Sequence, residues 1–214
     1  MSASSAPSRT LAKPTVLVSA VILLWAGYTV LQTLFVLGTF GDMASAILGF
    51  VPGILGLGVL LAAGLSRQEC YLVVRPLSWT GFAVLCAVFV FAEAAILPVS
   101  VWQGWSWQAA LIYAPASGIS QELFFRSVLL PAMQRVLKRR RGWALVLHSV
   151  LFGLWHIGPL FLGAPLWAVM LVMLVPFLSG LGWGWQVTRD RTVLWAMVQH
   201  SLIWVIALQF AQPG

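Results

Sequence analysis

Charged residues are scarce in this sequence. Only 8% of its 214 residues are Asp, Glu, Lys or Arg, and 61% are hydrophobic, whereas soluble domains have about 25% and about 45–50%. A soluble protein of this size needs a largely polar exterior, which so few polar residues cannot supply. The composition therefore excludes a soluble enzyme, a disordered chain and a nucleic-acid-binding module, and it predicts an integral membrane protein.

Cysteine is also scarce, because the chain has only Cys70 and Cys86. Two cysteines cannot supply the framework of a disulfide-stabilised domain. Cys70 falls in a basic loop and Cys86 in an apolar stretch, and neither position resembles a redox site or a thiolate metal site.

The net charge of +7 comes from basic residues gathered in short polar stretches. Apart from Arg126, all of them fall within residues 9–13, 67–75, 135–141 and 189–191. The connections near residues 39–42, 99–106 and 158–163, and the tail 211–214, contain no Lys or Arg. By the positive-inside rule, this pattern predicts a cytoplasmic N-terminus and an outside C-terminus. The basic run 138–141 is interpreted as a topology signal, with binding of anionic lipid as the alternative.

Seven apolar segments are long enough, or nearly long enough, to cross a bilayer as helices, which takes about 20 residues. They are residues 15–38, 43–65, 77–97, 107–130, 142–157, 164–186 and 192–210. We expect Pro52 and several glycines to kink the second segment and Pro131 to end the fourth, with residues 132–141 forming a short amphipathic helix on the membrane surface. The sequence thus predicts an all-α, polytopic helical bundle, with a polar tail (1–14) followed by one membrane domain (15–214).

Ionisable residues within these segments are candidates for function, because a charge is costly in hydrocarbon. Glu122, His156 and His200 fall at similar depths in three different segments, and this predicts that they share one site. Arg126 follows Glu122 by four residues, so the two side chains share a helix face and can pair.

Other polar and aromatic residues of the segments are assigned structural roles. Glu93 is interpreted as a paired or a protonated, hydrogen-bonded carboxyl, and His148 as a packing or interhelical hydrogen-bonding residue. Several tryptophans near the segment ends, Trp183 among them, are expected at the membrane–water interface.

Three short patterns contain the candidate residues. They are Gln121-Glu122-x-x-x-Arg126, Phe152-x-x-x-His156 and His200-x-x-x-Trp204. Together they resemble the CPBP family, also called Abi, which includes CAAX proteases and bacteriocin-processing enzymes. The family's patterns are Glu-Glu-x-x-x-Arg, Phe-x-x-x-His and a His-x-x-x-Asn-like element, in the same order. The resemblance covers residues 114–204, within a family core of about 106–210.

The resemblance implies a glutamic-type intramembrane endopeptidase that needs no cofactor. In such families the first Glu of the pair and the second-motif His activate a water, the Arg orients the carboxylates, and third-motif residues stabilise the oxyanion. The implied catalytic positions are Gln121, Glu122, Arg126, His156 and His200. The implied substrate-binding positions are Phe125, Phe152 and Trp204. The implied substrate is a membrane-embedded or lipidated peptide cut near its C-terminus. The compact chain and its lack of targeting signals favour the plasma membrane of a prokaryote.

Gln121 departs from the family pattern, because an amide cannot act as a general base. Three explanations remain open at this point. The chain is an inactivated form of a protease, a natural variant in which Glu122 is the base, or a pseudo-protease that binds without cutting.

Two further hypotheses belong to other classes of function. Glu122, His156 and His200 also fit a zinc site with two histidines and one carboxylate. A transporter or an immunity-type membrane protein would use the same cavity for binding alone, although the sequence has no pair of related halves.

Overall fold

The structure is a computed structural model that describes residues 14–97, 101–138 and 140–211. The helices are α1 (Pro14–Val36), α2 (Asp42–Leu48), α3 (Phe50–Ala62), α4 (Trp79–Ile96), α5 (Ala114–Phe124), α6 (Leu130–Val136), α7 (Arg141–Leu154), α8 (Leu166–Asp190) and α9 (Leu194–Ala207). Two π-helical segments, Ala109–Tyr113 and Phe125–Leu129, flank α5, and a 3-10 helix, Gly158–Leu162, follows α7. The two-residue strands β1 (Val101–Trp102) and β2 (Phe210–Ala211) pair antiparallel.

The helices confirm the predicted all-α membrane bundle. Among the described residues, four helical stretches are long and apolar enough to cross a membrane: Pro14–Val36, Asp42–Ala62, Arg141–Leu162 and Leu166–Asp190. Two shorter apolar helices, Trp79–Ala95 and Leu194–Ala207, lie beside them. The number of seven crossings stays a prediction.

The second predicted segment is divided between two helices. The interruption lies at Gly49, between α2 and α3, and not at Pro52 itself. The ring of a proline clashes with the carbonyl group four residues before it, and its nitrogen cannot donate to that carbonyl. For Pro52 that carbonyl belongs to Leu48, the last residue of α2, so the proline accounts for the position of the break.

The expectation that Pro131 ends the fourth segment is wrong. The helix continues through a π-helical turn, Phe125–Leu129, into α6, where Pro131 occupies the first turn. The π-turn changes the hydrogen-bond pattern of the turn before Pro131, which is the turn where a proline ring would otherwise clash with a carbonyl group. Ala132 and Met133 are buried, and a turn after α6 leads into α7, so residues 132–141 do not form one surface helix.

The basic loops gather at one end of the bundle. The hydroxyl of Tyr71 donates to Gln134 Oε1 at 2.6 Å, and its carbonyl accepts from Val193 N at 3.0 Å. Glu69 also lies 3.7 Å from Arg135. The loop around residue 70, the end of α6 and the turn after α8 are therefore in contact, as expected if all three lie on one side of a membrane.

The uncharged connections meet in the same way. The β1–β2 ribbon joins residues 101–102 to residues 210–211, and Ser106 N donates to Gln209 Oε1 at 2.7 Å. Residues 99–106 and the tail 211–214 were predicted to lie on the outer side, and which side of a membrane they face stays a prediction.

An aromatic core fixes α1 against α5 and α7. Tyr28 lies 5.2 Å from Phe124 and 4.8 Å from Trp155, measured between ring centroids. The indole nitrogen of Trp155 donates to the carbonyl oxygen of Tyr28 at 3.2 Å. Phe125 and Phe152 continue this core, with their centroids 4.6 Å apart. The core holds the helices that carry the first two motifs in a fixed relation.

A glycine permits close contact between α5 and α9. A Cβ atom on Gly118 would lie 2.5 Å from the backbone nitrogen of Ser201, which is too near for any other residue without displacement of a helix. Glu122 lies one turn after Gly118, and His200 precedes Ser201. The close approach therefore brings the first and third motifs together.

Candidate active site

Glu122 and Arg126 form a buried ion pair. Glu122 Oε2 lies 3.0 Å from Arg126 Nε, and both side chains are 0% exposed. Neither atom has a hydrogen-bond partner within the described chain, so the attraction between the charges holds the pair. The i,i+4 pairing expected from the sequence is thus present.

His200 occupies the other oxygen of Glu122. His200 Nδ1 lies 2.8 Å from Glu122 Oε1, and Trp204 Nε1 lies 3.1 Å from His200 Nε2. An indole N–H can only donate, so His200 Nε2 accepts and carries no proton. The neutral ring then has its proton on Nδ1, which donates to Glu122. Trp204 therefore selects the tautomer of His200.

Aromatic faces surround the Arg126 guanidinium. Its Cζ atom lies 4.3 Å from the ring centroid of Phe152 and 5.1 Å from that of Trp183. Such contacts between cations and aromatic faces are favourable, more so when desolvated. Arg126 is therefore held by Glu122 on one side and by aromatic rings on others.

Trp183 is a site residue that the sequence analysis missed. Its expected position at the membrane interface is wrong, because it is 3% exposed and stacks on His200 with ring centroids 4.4 Å apart. Its indole donates to Gln199, which in turn donates to the carbonyl oxygen of Leu85. No motif marks Trp183, and only its position on α8 reveals its contact with α9.

His156 follows the end of α7. Unlike the fully buried Glu122, it is partly exposed. Its Nδ1 lies 2.9 Å from the carbonyl oxygen of Phe152. A carbonyl oxygen only accepts, so Nδ1 carries a proton, and in the neutral ring Nε2 keeps a free lone pair. His156 is only partly buried and contributes to the wall of a cavity.

The cavity beside His156 has a volume of about 280 Å³ and is open to the surface. His156, His200, Phe152 and Trp204 line it together, so the second and third motifs face one space. The rest of the wall comes from α4, α8 and α9, and it is largely apolar: Ala92, Ala95, Trp167, Ala168, Leu171, Val172, Val175, Pro176, Ser179, Trp183, Ile203 and Ala207. A mostly apolar cleft with a few convergent polar groups is the usual form of a ligand site.

Gln121, Glu122 and Arg126 lie behind this cavity and are not part of its wall. Gln121 is 3% exposed, and its Nε2 donates to Ser117 Oγ at 2.8 Å. Within the described chain, its Oε1 is buried without a hydrogen-bond partner. The side chain thus offers an acceptor that no described neighbour uses.

Three other residues considered in the sequence analysis lie outside the cavity wall. Phe125 is buried in the aromatic core. His148 Nδ1 contacts the carbonyl oxygen of Leu145 at 2.8 Å, in keeping with a structural role. Glu93 is 7% exposed, and its two oxygens have no hydrogen-bond partner among the described residues.

The geometry also bears on the zinc hypothesis. Among the described residues, no group of three or more His, Cys, Asp or Glu side chains is placed to hold a metal ion. The best donors are already engaged, because Glu122 Oε1 accepts from His200 Nδ1 and His200 Nε2 accepts from Trp204. The donor set as arranged therefore does not fit a zinc ion.

Comparison with known proteins agrees with the site geometry. No curated protein and no solved structure matches the chain. One family model matches residues 102–206, and its description is type II CAAX prenyl endopeptidase Rce1-like. This is a family of membrane proteases, and the matched range contains all three motifs. Over residues 102–206 the chain is therefore similar to the Rce1-like family of type II CAAX prenyl endopeptidases, in agreement with the resemblance that the three motifs indicate.

Proposed function

We propose that this protein is an intramembrane endopeptidase in which His156 activates the water that attacks the substrate. The observation that carries the proposal is the 2.9 Å hydrogen bond between His156 Nδ1 and the carbonyl oxygen of Phe152. It leaves the Nε2 lone pair as the proton acceptor in a cavity that His200 and Trp204 also line. General acid–base catalysis by one positioned histidine contributes about 10²–10⁴-fold.

The reaction is hydrolysis of a peptide bond. The oxygen of a water attacks the scissile carbonyl carbon as one of its protons moves to His156 Nε2. The carbon–nitrogen bond then breaks, and His156 returns the proton to the leaving amine. While the ring is charged, it continues to donate from Nδ1 to the carbonyl of Phe152, which stabilises the imidazolium.

Glu122 has a positioning role in this proposal. Both of its oxygens are engaged, one by His200 and the other by Arg126. Taking a proton from water would neutralise the partner of a buried guanidinium, which is unfavourable. These contacts support His156 over Glu122 as the base.

Trp204 supplies the oxyanion donor in this proposal. His200 Nε2 carries no proton in this tautomer, so it cannot donate to an oxyanion. The third-motif donor that can turn toward the cavity is then the indole N–H of Trp204. It would exchange His200 Nε2 for the developing oxyanion as the tetrahedral intermediate forms. Trp204 thus takes the place of the family's Asn.

Trp204→Phe is expected to lower kcat by about 10²–10³-fold, the usual cost of removing one oxyanion donor. Trp204→Asn restores an N–H donor and is expected to keep more activity than Trp204→Phe. Steady-state kinetics on one substrate, with thermal unfolding of each variant, separate the effect on catalysis from misfolding. If Trp204→Phe and the unmodified chain have equal kcat values, the indole N–H is not the oxyanion donor and Trp204 only packs.

The substrate we propose is a membrane-embedded or lipidated peptide, cut near its C-terminus. The rim of the cavity supports this, because Trp167 and Leu171 are exposed apolar residues of α8 that would face lipid. Pro176 has no N–H, so the carbonyl of Val172 cannot accept the usual helical hydrogen bond. Both residues line the cavity, and this carbonyl could accept from the amide of a bound peptide.

We also propose seven crossings of a prokaryotic plasma membrane, with a cytoplasmic N-terminus. The gathering of the basic loops at one end of the bundle supports this orientation. A reporter fused to each terminus, active on one side of the membrane only, tests it.

Binding without cleavage is the second candidate function, and Gln121 is the observation that favours it. An amide stands where the family has its catalytic Glu, so the chain could retain a substrate and release it uncut. The same assay distinguishes the two functions, because a pure binding protein yields a complex and no product.

The experiment uses the full chain in lipid nanodiscs and a peptide with a prenylated cysteine followed by a three-residue tail. Mass spectrometry of the products is expected to find one new C-terminus near the lipidated residue. The same peptide without the lipid should react poorly, because its membrane concentration is low. Loss of activity with a chelator, and recovery with zinc, would favour the zinc mechanism instead.

A further inference from the structure

A second cavity lies at the basic end of the bundle, away from the motif histidines. Its volume is about 320 Å³, and four cationic side chains contribute to its wall: Arg135, Lys138, Arg141 and Arg191. Among the described residues, Glu69 is the one carboxylate in the wall. The cavity therefore has an excess of three positive charges when all five groups are ionised.

Glu69 is committed to its own loop and to Arg135. Its Oε2 accepts from the backbone nitrogen and the hydroxyl of Ser66, at 2.8 and 2.9 Å, and its Oε1 lies 3.7 Å from Arg135. The backbone hydrogen bond from Ser66 lowers the pKa of Glu69 most, and the charges of Arg135 and Arg191 lower it further. Within the described chain, Lys138, Arg141 and Arg191 have no carboxylate within 4.0 Å. These three positive charges are therefore available to an anion in the cavity.

Backbone strain is concentrated at this cavity. Tyr71 and Arg191 both have φ of 59°, and they are the non-glycine residues with positive φ among the described residues. Both line the cavity. The hydrogen bond from Val193 N to the carbonyl of Tyr71 joins the two strained segments. Strained backbone persists where surrounding structure fixes it, and it clusters at ligand sites.

A helix end adds to the positive potential. Arg141 is the first residue of α7, a helix of 14 residues whose first turn receives no hydrogen bond from a capping side chain. The N-terminus of a helix carries a partial positive charge and favours anions. This end of α7 is at the wall of the cavity, because Arg141 lines it.

We propose that this cavity binds the phosphate group of an anion, such as the headgroup of an anionic phospholipid or free phosphate. Arg and Lys side chains together with a helix N-terminus are the donors that phosphate groups require. The cavity lies where apolar helices end and basic loops begin, at the depth of lipid headgroups in the predicted topology. The site is independent of peptide cleavage.

The test measures binding of dihexanoyl-phosphatidylglycerol to the purified full chain by native mass spectrometry. Lys138→Gln/Arg141→Gln is expected to weaken binding by about 10-fold or more, because two contacting charges are lost. Arg67→Gln/Arg75→Gln removes the same formal charge from exposed residues of the same end that do not line the cavity. This control is expected to weaken binding by about twofold or less, because distant charges are screened.

Glu69→Gln is expected to tighten binding, because it removes the carboxylate and keeps an oxygen that can accept from Ser66. Competition by inorganic phosphate at similar concentration supports the site and identifies free phosphate as the ligand. Failure of phosphate to compete supports the site and identifies the lipid. The proposal is overturned if the two double variants lose equal affinity, or if neither probe binds.

Discussion

Replacement of His156 by Ala is expected to lower kcat for a lipidated, tailed peptide by about 10²–10⁴-fold. Its Nε2 is the proton acceptor at the cavity wall, since the ring is held by a hydrogen bond from Nδ1 to Phe152. The loss should appear mainly in kcat, because the apolar wall that holds the substrate is unchanged. Initial rates over a range of peptide concentrations in nanodiscs measure both parameters.

The matched control is His148→Ala, because His148 lies in α7, eight residues before His156. His148 does not line the cavity, so its loss should change kcat by much less once rates are normalised to folded protein. The proposed role of His156 is contradicted if the two alanine variants retain the same kcat.

Glu122→Gln is expected to lower the free energy of unfolding by about 3–5 kcal/mol, because it leaves the guanidinium of Arg126 buried without its counter-charge. Glu122 and Arg126 are both fully buried and 3.0 Å apart, so solvent cannot replace the lost partner. The unfolding transition in detergent, followed by circular dichroism against denaturant, measures the change.

Glu93→Gln is the matched control for this substitution. Glu93 is also buried, but it has no ion pair within the described chain, so the amide should be tolerated with little loss. Replacing both members of the pair, as Glu122→Gln/Arg126→Met, should recover much of the stability, since no unpaired charge remains. If Glu122→Gln and Glu93→Gln unfold at the same denaturant concentration, the pair does not stabilise the fold.

The sequence was sufficient to predict two contacts of the candidate site, for physical reasons. Glu122 and Arg126 are separated by one helical turn, and apolar spans leave few other partners for a charge. Their similar depth in two apolar segments placed Glu122 and His200 in one site, and the 2.8 Å contact between them agrees with it. The spacing of residues within a helix and the cost of placing a charge in lipid can both be judged from the sequence without knowing how the helices pack.

Features that depend on tertiary contact could not be predicted in this way. Trp183 looks like one more tryptophan at the end of an apolar run, and only the packing of α8 beside α9 places it on His200. The separation of the site residues into a cavity wall and a buried layer could not be predicted either. The sequence does not show that His156 lines the cavity while Glu122 lies behind it.

Proline effects were only partly predictable, because the outcome depends on how the helix adjusts. Pro52 interrupts its segment at Gly49, one turn before the proline. Pro131 does not interrupt its segment, because the π-helical turn Phe125–Leu129 precedes it. The sequence signals a proline in both cases, and the hydrogen-bond pattern around it decides the result.

The most direct test of the proposed mechanism is the turnover of the unmodified chain and of Gln121→Glu on one lipidated, tailed peptide. The unmodified chain, with His156 as its base, is expected to cut slowly at one bond. Gln121→Glu restores the family's carboxylate and is expected to cut the same bond at least about 10-fold faster. If neither protein releases a product while both bind the peptide, the chain is a binding protein and the proposed peptidase mechanism is wrong.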